Sequence, residues 1–363
     1  MKIQRLKKKT GFFYILIAMI FAFSQFSPAP LVFSETGLIV PQKGMCYVTW
    51  DKERFASQYS DASLQKLASL GVEYLSLCVT QYQEQYNSTK IKPTKQTPSD
   101  KSVRHAIKRA HKLGLKIMLK PHIDLIDKYD GTYWRADIGF TNEDDWKQWF
   151  LEYKKYIIHY AKMSEKLKVE LLCVGTELSF TTQKEAQWRE IIEEVKKVYS
   201  GKIVYAANWD NFKNIKFWDA LDYVGIDAYF PLTYESEPTV EDIKKGWEKW
   251  KYEIEMWQAQ VNKPIIFTEI GYASTPHAPY TPWQGGTGGN ADPQIQAKCY
   301  EAFFETIWNA SWLAGVYWWK WDTNVHAGGE NNRQFTPQNK PAQKIIEANY
   351  KGYRKESTYA MAK

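Results

Sequence analysis

The stretch 169–177 (VELLCVGTE) is a short apolar run that closes on a carboxylate. A second stretch, 264–269 (PIIFTE), repeats that form, and the two closing residues, Glu177 and Glu269, lie 92 positions apart. Short runs that are apolar throughout read as strands of a parallel sheet covered on both faces. A carboxylate without a partner is costly in such surroundings, so a Glu at the end of the run needs a cause. Pairing with a Lys or Arg at the sheet rim is one cause. The other is chemistry, because an eight-stranded α/β barrel gathers its catalytic groups at these strand ends.

Outward from these two runs the chain alternates strand and helix from residue 44 onward. Strands are expected at 44–49, 73–79, 115–122, 169–176, 202–208, 223–229, 264–270 and 314–321. Helices are expected at 61–70, 100–113, 143–167, 187–199, 215–221, 240–261, 293–309 and 341–349. Gly71 and Gly114 follow two of them, where a residue at ease with positive φ stops a helix. Eight such pairs without a break in composition predict a single (β/α)8 (TIM) barrel. An open doubly wound sheet is the competing fold. It calls for a glycine-rich turn after the first strand, whereas Trp50, Asp51 and Lys52 stand there. The glycines at 285, 286, 288 and 289 follow no strand directly and make no phosphate cradle. Helix-to-strand links are short and strand-to-helix links long, as at 80–99, 123–142, 272–292 and 322–340. The long loops therefore share one barrel face, the one that carries chemistry.

The first 34 residues read as a secretory leader. Lys2, Arg5, Lys7, Lys8 and Lys9 precede an apolar run of 12 residues at 12–23, shorter than the ~20 needed to span a membrane. A secreted protein is expected, or a membrane-anchored one if the leader stays uncleaved. The formal charge of +7 falls to +2 once those five cations are removed. No dense basic stripe remains, so nucleic acid is not an expected partner. Residues 35–352 are assigned to the barrel, 353–363 to a polar tail, and the protein is expected to be a monomer. Cys46, Cys78, Cys173 and Cys299 match no zinc spacing and read as small buried hydrophobes. No cofactor and no metal are called for.

Two carboxylates across a barrel mouth can cut a glycosidic bond. In that reading Glu269 attacks the sugar carbon and Glu177 serves as acid, then base. Lys120, His122 and Asp124 share parity at the end of the third strand, and their types suit sugar hydroxyls better than a metal ion. Trp134 and Arg135 follow in the next loop as candidate walls of a subsite. The chain holds 16 Trp, more than a core needs. Trp50, Trp209, Trp283, Trp319 and Trp321 fall at or beyond strand ends, where sugar rings can stack on them. Strand alternation puts Trp319 and Trp321 on the cleft side and Trp318 in the helix layer.

Seven stretches carry a family resemblance: KPHIDL at 120–125, YWRADI at 133–138, GTEL at 175–178, YAANWD at 205–210, VGIDAY at 224–229, TEIGY at 268–272 and VYWWKWD at 316–322. In this order they resemble glycoside hydrolase family 113, whose members are chiefly retaining β-1,4-mannanases of the clan A barrels. The resemblance implies an endo-β-1,4-mannanase acting on a polysaccharide or oligosaccharide, with Glu177 as acid/base, Glu269 as nucleophile and the Tyr229 hydroxyl steadying Glu269. Asp227, on the same side of its strand, would support Tyr229 or a nearby Lys, or meet the sugar. Many clan A enzymes carry Asn before the acid/base; Thr176 stands here, so the contact to the sugar 2-hydroxyl is expected from elsewhere, with Asn208 the candidate. Exo-acting mannosidase, glucan-directed hydrolase and a non-catalytic carbohydrate-binding barrel remain open. A metal-dependent barrel hydrolase is disfavoured by the first strand, which lacks an HxH pair.

Overall fold

The computed structural model describes residues 40–286 and 289–352. The proposed leader, the polar tail and Gly288 lie outside them. Eight parallel strands close on themselves in the order β1 to β8. They are β1 (Gln42–Val48), β2 (Tyr74–Gln83), β3 (Lys116–Leu125), β4 (Leu171–Thr176), β5 (Lys202–Asn208), β6 (Tyr223–Asp227), β7 (Ile265–Ile270) and β8 (Leu313–Asp322). The helices are α1 (Gln58–Ser69), α2 (Asp100–Lys112), α3 (Glu143–Leu167), α4 (Glu185–Lys196), α5 (Val240–Val261), α6 (Pro293–Thr306) and α7 (Pro341–Gly352). The (β/α)8 barrel predicted from the strand–helix alternation is therefore the fold.

Local chemistry sets the helix ends. Ser57, Ser99 and Asn142 each accept a backbone N–H of the first turn of α1, α2 and α3. Thr239 and Asp242 form a reciprocal capping box at α5. Gly71 and Gly114, at φ +85 and +79, stop α1 and α2 as expected. One unit departs from the sequence reading. No α-helix follows β5; two 3-10 turns, Phe212–Asn214 and Trp218–Ala220, stand in its place. The aromatic side chains there, Phe212, Phe217 and Trp218, are buried and cover the sheet without a regular helix.

Two layers of core result. Between barrel and helices lies a large cluster that includes Trp149, Trp188, Trp247 and Trp318. Inside the barrel, Cys46, Cys78, Cys173, Met118, Val204, Ile266 and Tyr317 fill the bore. The interior is packed, so ligands can be met only at its mouth. All four thiols are free and buried.

The register of β8 overturns one expectation. Between the pairs Met45–Trp318 and Tyr47–Trp321, β8 has one residue more than β1. Such a bulge reverses side-chain parity beyond it. The Trp319–Lys320 peptide bond in this segment is cis. Trp319 faces the mouth, whereas Trp321 turns to the helix layer, where its indole N–H donates to Ser63 Oγ at 2.9 Å. Trp318 lies in that layer too, stacked on Tyr300 with ring centroids 3.9 Å apart.

Candidate active site

A cleft of about 520 Å3 opens at the C-terminal ends of the strands, among the long loops. It brings together Glu177, Glu269, Tyr229, His122, Asp124, Arg135 and Asn208, walled by Trp50, Trp134, Trp209, Trp283 and Trp319. Twelve of the expected site residues thus share one cavity. Lys120, Asp227 and Trp321 do not line it. Lys120 and Asp227 are fully buried beneath it, so neither can meet a sugar.

Glu269 sits near the end of β7, where both carboxylate oxygens are taken. The Lys120 ammonium donates to Oε1 at 2.6 Å and the Tyr229 hydroxyl to Oε2 at 2.7 Å. Lys120 also donates to Asp227 Oδ1 at 3.0 Å, and Thr268 Oγ1 donates to the same oxygen at 2.7 Å. Burial works against the Lys120 ammonium, yet Asp227 and Glu269 together hold its pKa well above the usual lysine range. Burial and the Glu269 charge push Asp227 well up, against the pull of Lys120. Burial likewise lifts Tyr229, seconded by Glu269, which keeps the phenol a donor. Asp227 was expected to support Tyr229 or a lysine; its partner is Lys120. Tyr229 lies two residues beyond the end of β6, not within it.

Glu177 stands differently. It is the first residue past β4 and adopts φ 55, the left-handed region. That turn lets its N–H donate to Ala206 O on β5 at 2.8 Å while the side chain swings into the cleft. Its Oε2 accepts from Arg135 Nη1 at 2.7 Å. Arg135 comes from the loop after β3, on a 3-10 turn, and is fixed by its Nε–H to Ile123 O at 3.0 Å. Its other terminal nitrogen is 3.7 Å from Asp124. Arg135 therefore lines the cleft but also serves as the counter-charge of Glu177, a pairing with no sequence signature. Burial raises the Glu177 pKa, Arg135 opposes it, and the charge of Glu269 adds to the rise.

His122, on β3, also lines the cleft. Burial, then Lys120 and Arg135, press its pKa well down, so the ring is neutral. Its Nε2 is 3.8 Å from Glu269 Oε1, too far to bond, and is buried without a protein partner. The ring lies nearly parallel to Trp319, at 10°. Asn208 donates to Ser179 Oγ at 3.0 Å from the cleft wall. Trp209 and Trp283 stack at 5.7 Å and 15°. Lys320 places its ammonium 4.5 Å from the centre of the Trp50 ring.

Thr80, Asp210 and Phe335 also line the cleft and were not anticipated. Thr80 belongs to a β2 that runs on to Gln83, past its expected end. Asp210 adjoins Trp209 and was within reach of the same argument. Phe335 arrives from the loop after β8 and packs on Tyr229 at 6.2 Å; loops have no period that would flag it.

A family model for glycoside hydrolase family 113 matches residues 45–340. Among solved structures, a family 113 β-1,4-mannanase determined as a complex is 30% identical, with a TM-score of 0.76, over 85% of this chain and 98% of that one. A family 113 β-mannanase from Alicyclobacillus acidocaldarius is 26% identical, with a TM-score of 0.77, over 88% of this chain and 98% of that one. A β-glucuronidase from Ruminococcus gnavus, 12% identical at a TM-score of 0.57 over 86% of this chain and 49% of that one, shares the fold alone. No curated protein matches the sequence.

Proposed function

The chain belongs to glycoside hydrolase family 113 and is a glycoside hydrolase, and on that premise we propose that it is a retaining endo-β-1,4-mannanase. Glu269 attacks the anomeric carbon while Glu177 gives its proton to the departing oxygen. The glycosidic C–O bond breaks and an ester to Glu269 forms. Glu177, now a carboxylate, takes a proton from water, whose oxygen attacks the same carbon and frees Glu269. The observation that carries this reading is the unlike setting of two carboxyls in one cleft. Glu269 accepts from an ammonium and a phenol, as an anionic nucleophile must. Glu177 is pushed toward the protonated form that a general acid needs.

The mannan preference rests on the relatives, two of which are described as β-mannanases. Five tryptophans around the cleft suit several sugar rings and so a polymer rather than a single sugar. Product analysis on mannan, cellulose, xylan and glucomannan in parallel tests the substrate. Internal cleavage confined to the mannose-containing polymers is expected, with the β-anomer formed first by NMR. An α-anomer formed first, or activity on cellulose or xylan alone, overturns the reading. Export is proposed on the leader alone. N-terminal sequencing of protein from culture medium, expected to start near residue 35, tests it. Among the described residues no helix is long and apolar enough to cross a membrane.

A further inference from the structure

Beyond the cleft, the loops after β6 and β7 carry aromatic rings that no core uses. Trp209 and Trp283 form the cleft wall, and Trp283 is 47% exposed. Tyr280 stands three residues before Trp283 in the same run of turns and is 46% exposed. Its ring lies 4.8 Å from that of Tyr234, tilted by 60°, and Tyr234 is 79% exposed. Trp283 and Tyr280 are thus about equally exposed, and Tyr234 stands furthest into solvent.

The backbone beneath these rings is clamped. Leu232 N–H donates to Pro279 O at 2.8 Å, tying the two loops together. Trp250 of α5 donates its indole N–H to Pro231 O at 2.8 Å. Gly246 of α5 lies so close to the Leu232 carbonyl that a Cβ would collide with it. Tyr280 N–H and Thr281 N–H both donate to His277 O, which fixes the turn. Large apolar rings left in water on a fixed backbone cost solvation and gain no packing. Held still, they lose little entropy when a ligand covers them.

We infer that Tyr280, on the loop that also carries Trp283 of the cleft wall, and Tyr234, on its neighbour, form a distal binding site for the polysaccharide chain, reached only by substrates long enough to leave the cleft. This inference rests on the reading of the chain as a polysaccharide hydrolase. The occupant is the same glycan strand, because Tyr280 shares its run of turns with Trp283 of the cleft wall and both tyrosines present the flat apolar faces that sugar C–H groups cover.

The test uses the full enzyme, a soluble galactomannan and 4-nitrophenyl β-mannobioside. In Y234A/Y280A the KM for the polymer rises ~3–10-fold, which corresponds to the loss of one or two stacking contacts. The kcat/KM for the short glycoside stays at the wild-type value. Retardation in a native gel containing galactomannan weakens in parallel. Y234F/Y280F, which keeps the rings, behaves as wild type in every assay. An unchanged polymer KM with unchanged retardation overturns the inference, and so does an equal loss on both substrates. Retardation does not need turnover, so the two readings can fail separately. Wild-type protein that is retarded but cleaves nothing sinks the hydrolase reading alone. Active wild type with an indistinguishable double variant sinks the distal site alone.

Discussion

Glu269 at β7 has both oxygens held by donors from the barrel frame, whereas Glu177 past β4 has one oxygen held by a single arginine from a loop. Lys120 lies on β3 and Tyr229 two residues beyond β6, so the Glu269 setting is built on strands and a strand end whose spacing the barrel fixes. Arg135 lies on a 3-10 turn in the long loop after β3. The two proposed tasks explain the contrast. A nucleophile works best when its carboxylate is locked in one rotamer and its charge is met by fixed donors. A group that gives and then retakes a proton needs a setting that tolerates both forms. The barrel supplies the first and the loop the second.

The largest effect expected from breaking this contrast is at Glu269. Glu269→Ala should lower turnover by ~10^4-fold or more. Azide should restore activity and yield the glycosyl azide of α configuration, because the ion replaces the nucleophile directly. Glu177→Ala should cost ~10^2–10^4-fold on polysaccharide and little on substrates whose leaving group needs no proton. Azide should here give the β-configured product, by attacking the ester already formed on Glu269. NMR of the azide products checks both assignments, and the same anomer from both variants would refute the division of roles.

Next comes Lys120, which the sequence reading placed among the sugar contacts. Lys120→Met leaves Asp227 and Glu269 facing each other without a cation in a buried site. Removing one partner of a buried charge set costs about 3–5 kcal/mol, so a fall in Tm is expected together with a loss of kcat. Asp227→Asn, which keeps the Lys120–Glu269 contact, should be milder on both measures. Equal Tm and activity in wild type and Lys120→Met would show that the buried ammonium has no part in holding Glu269.

Much of this arrangement was legible because strands are periodic. The apolar runs at 169–177 and 264–269 announced both glutamates, and link lengths told which face held the cleft. The losses have physical reasons. Parity carried Trp321 to the wrong side because an extra residue in β8 relative to β1 is a property of the pair, not of either strand. Parity also carried Lys120 toward the sugar, while the barrel mouth narrows to a buried set of charges below the cleft floor. A helix after β5 was expected at 215–221, yet that stretch holds only the 3-10 turn Trp218–Ala220, with a second turn, Phe212–Asn214, just before it. The Arg135–Glu177 pair joins residues 42 apart through a loop, where no period constrains direction.

That last pair gives the subtlest prediction. The basic limb of a kcat/KM profile reports the free-enzyme pKa of the essential acid, here Glu177. Burial and the Glu269 charge raise that pKa, while Arg135, and more weakly Lys120, lower it. Arg135→Gln removes the chief opposing charge, so Glu177 should keep its proton to higher pH and the basic limb should move up. Arg135→Lys, which retains a cation, should move it less. A merely structural role would lower activity at every pH without shifting the limb. A shift to lower pH would mean that the group titrating there is not Glu177. The loop arginine would then set the boundary of the cleft rather than the proton affinity of the acid.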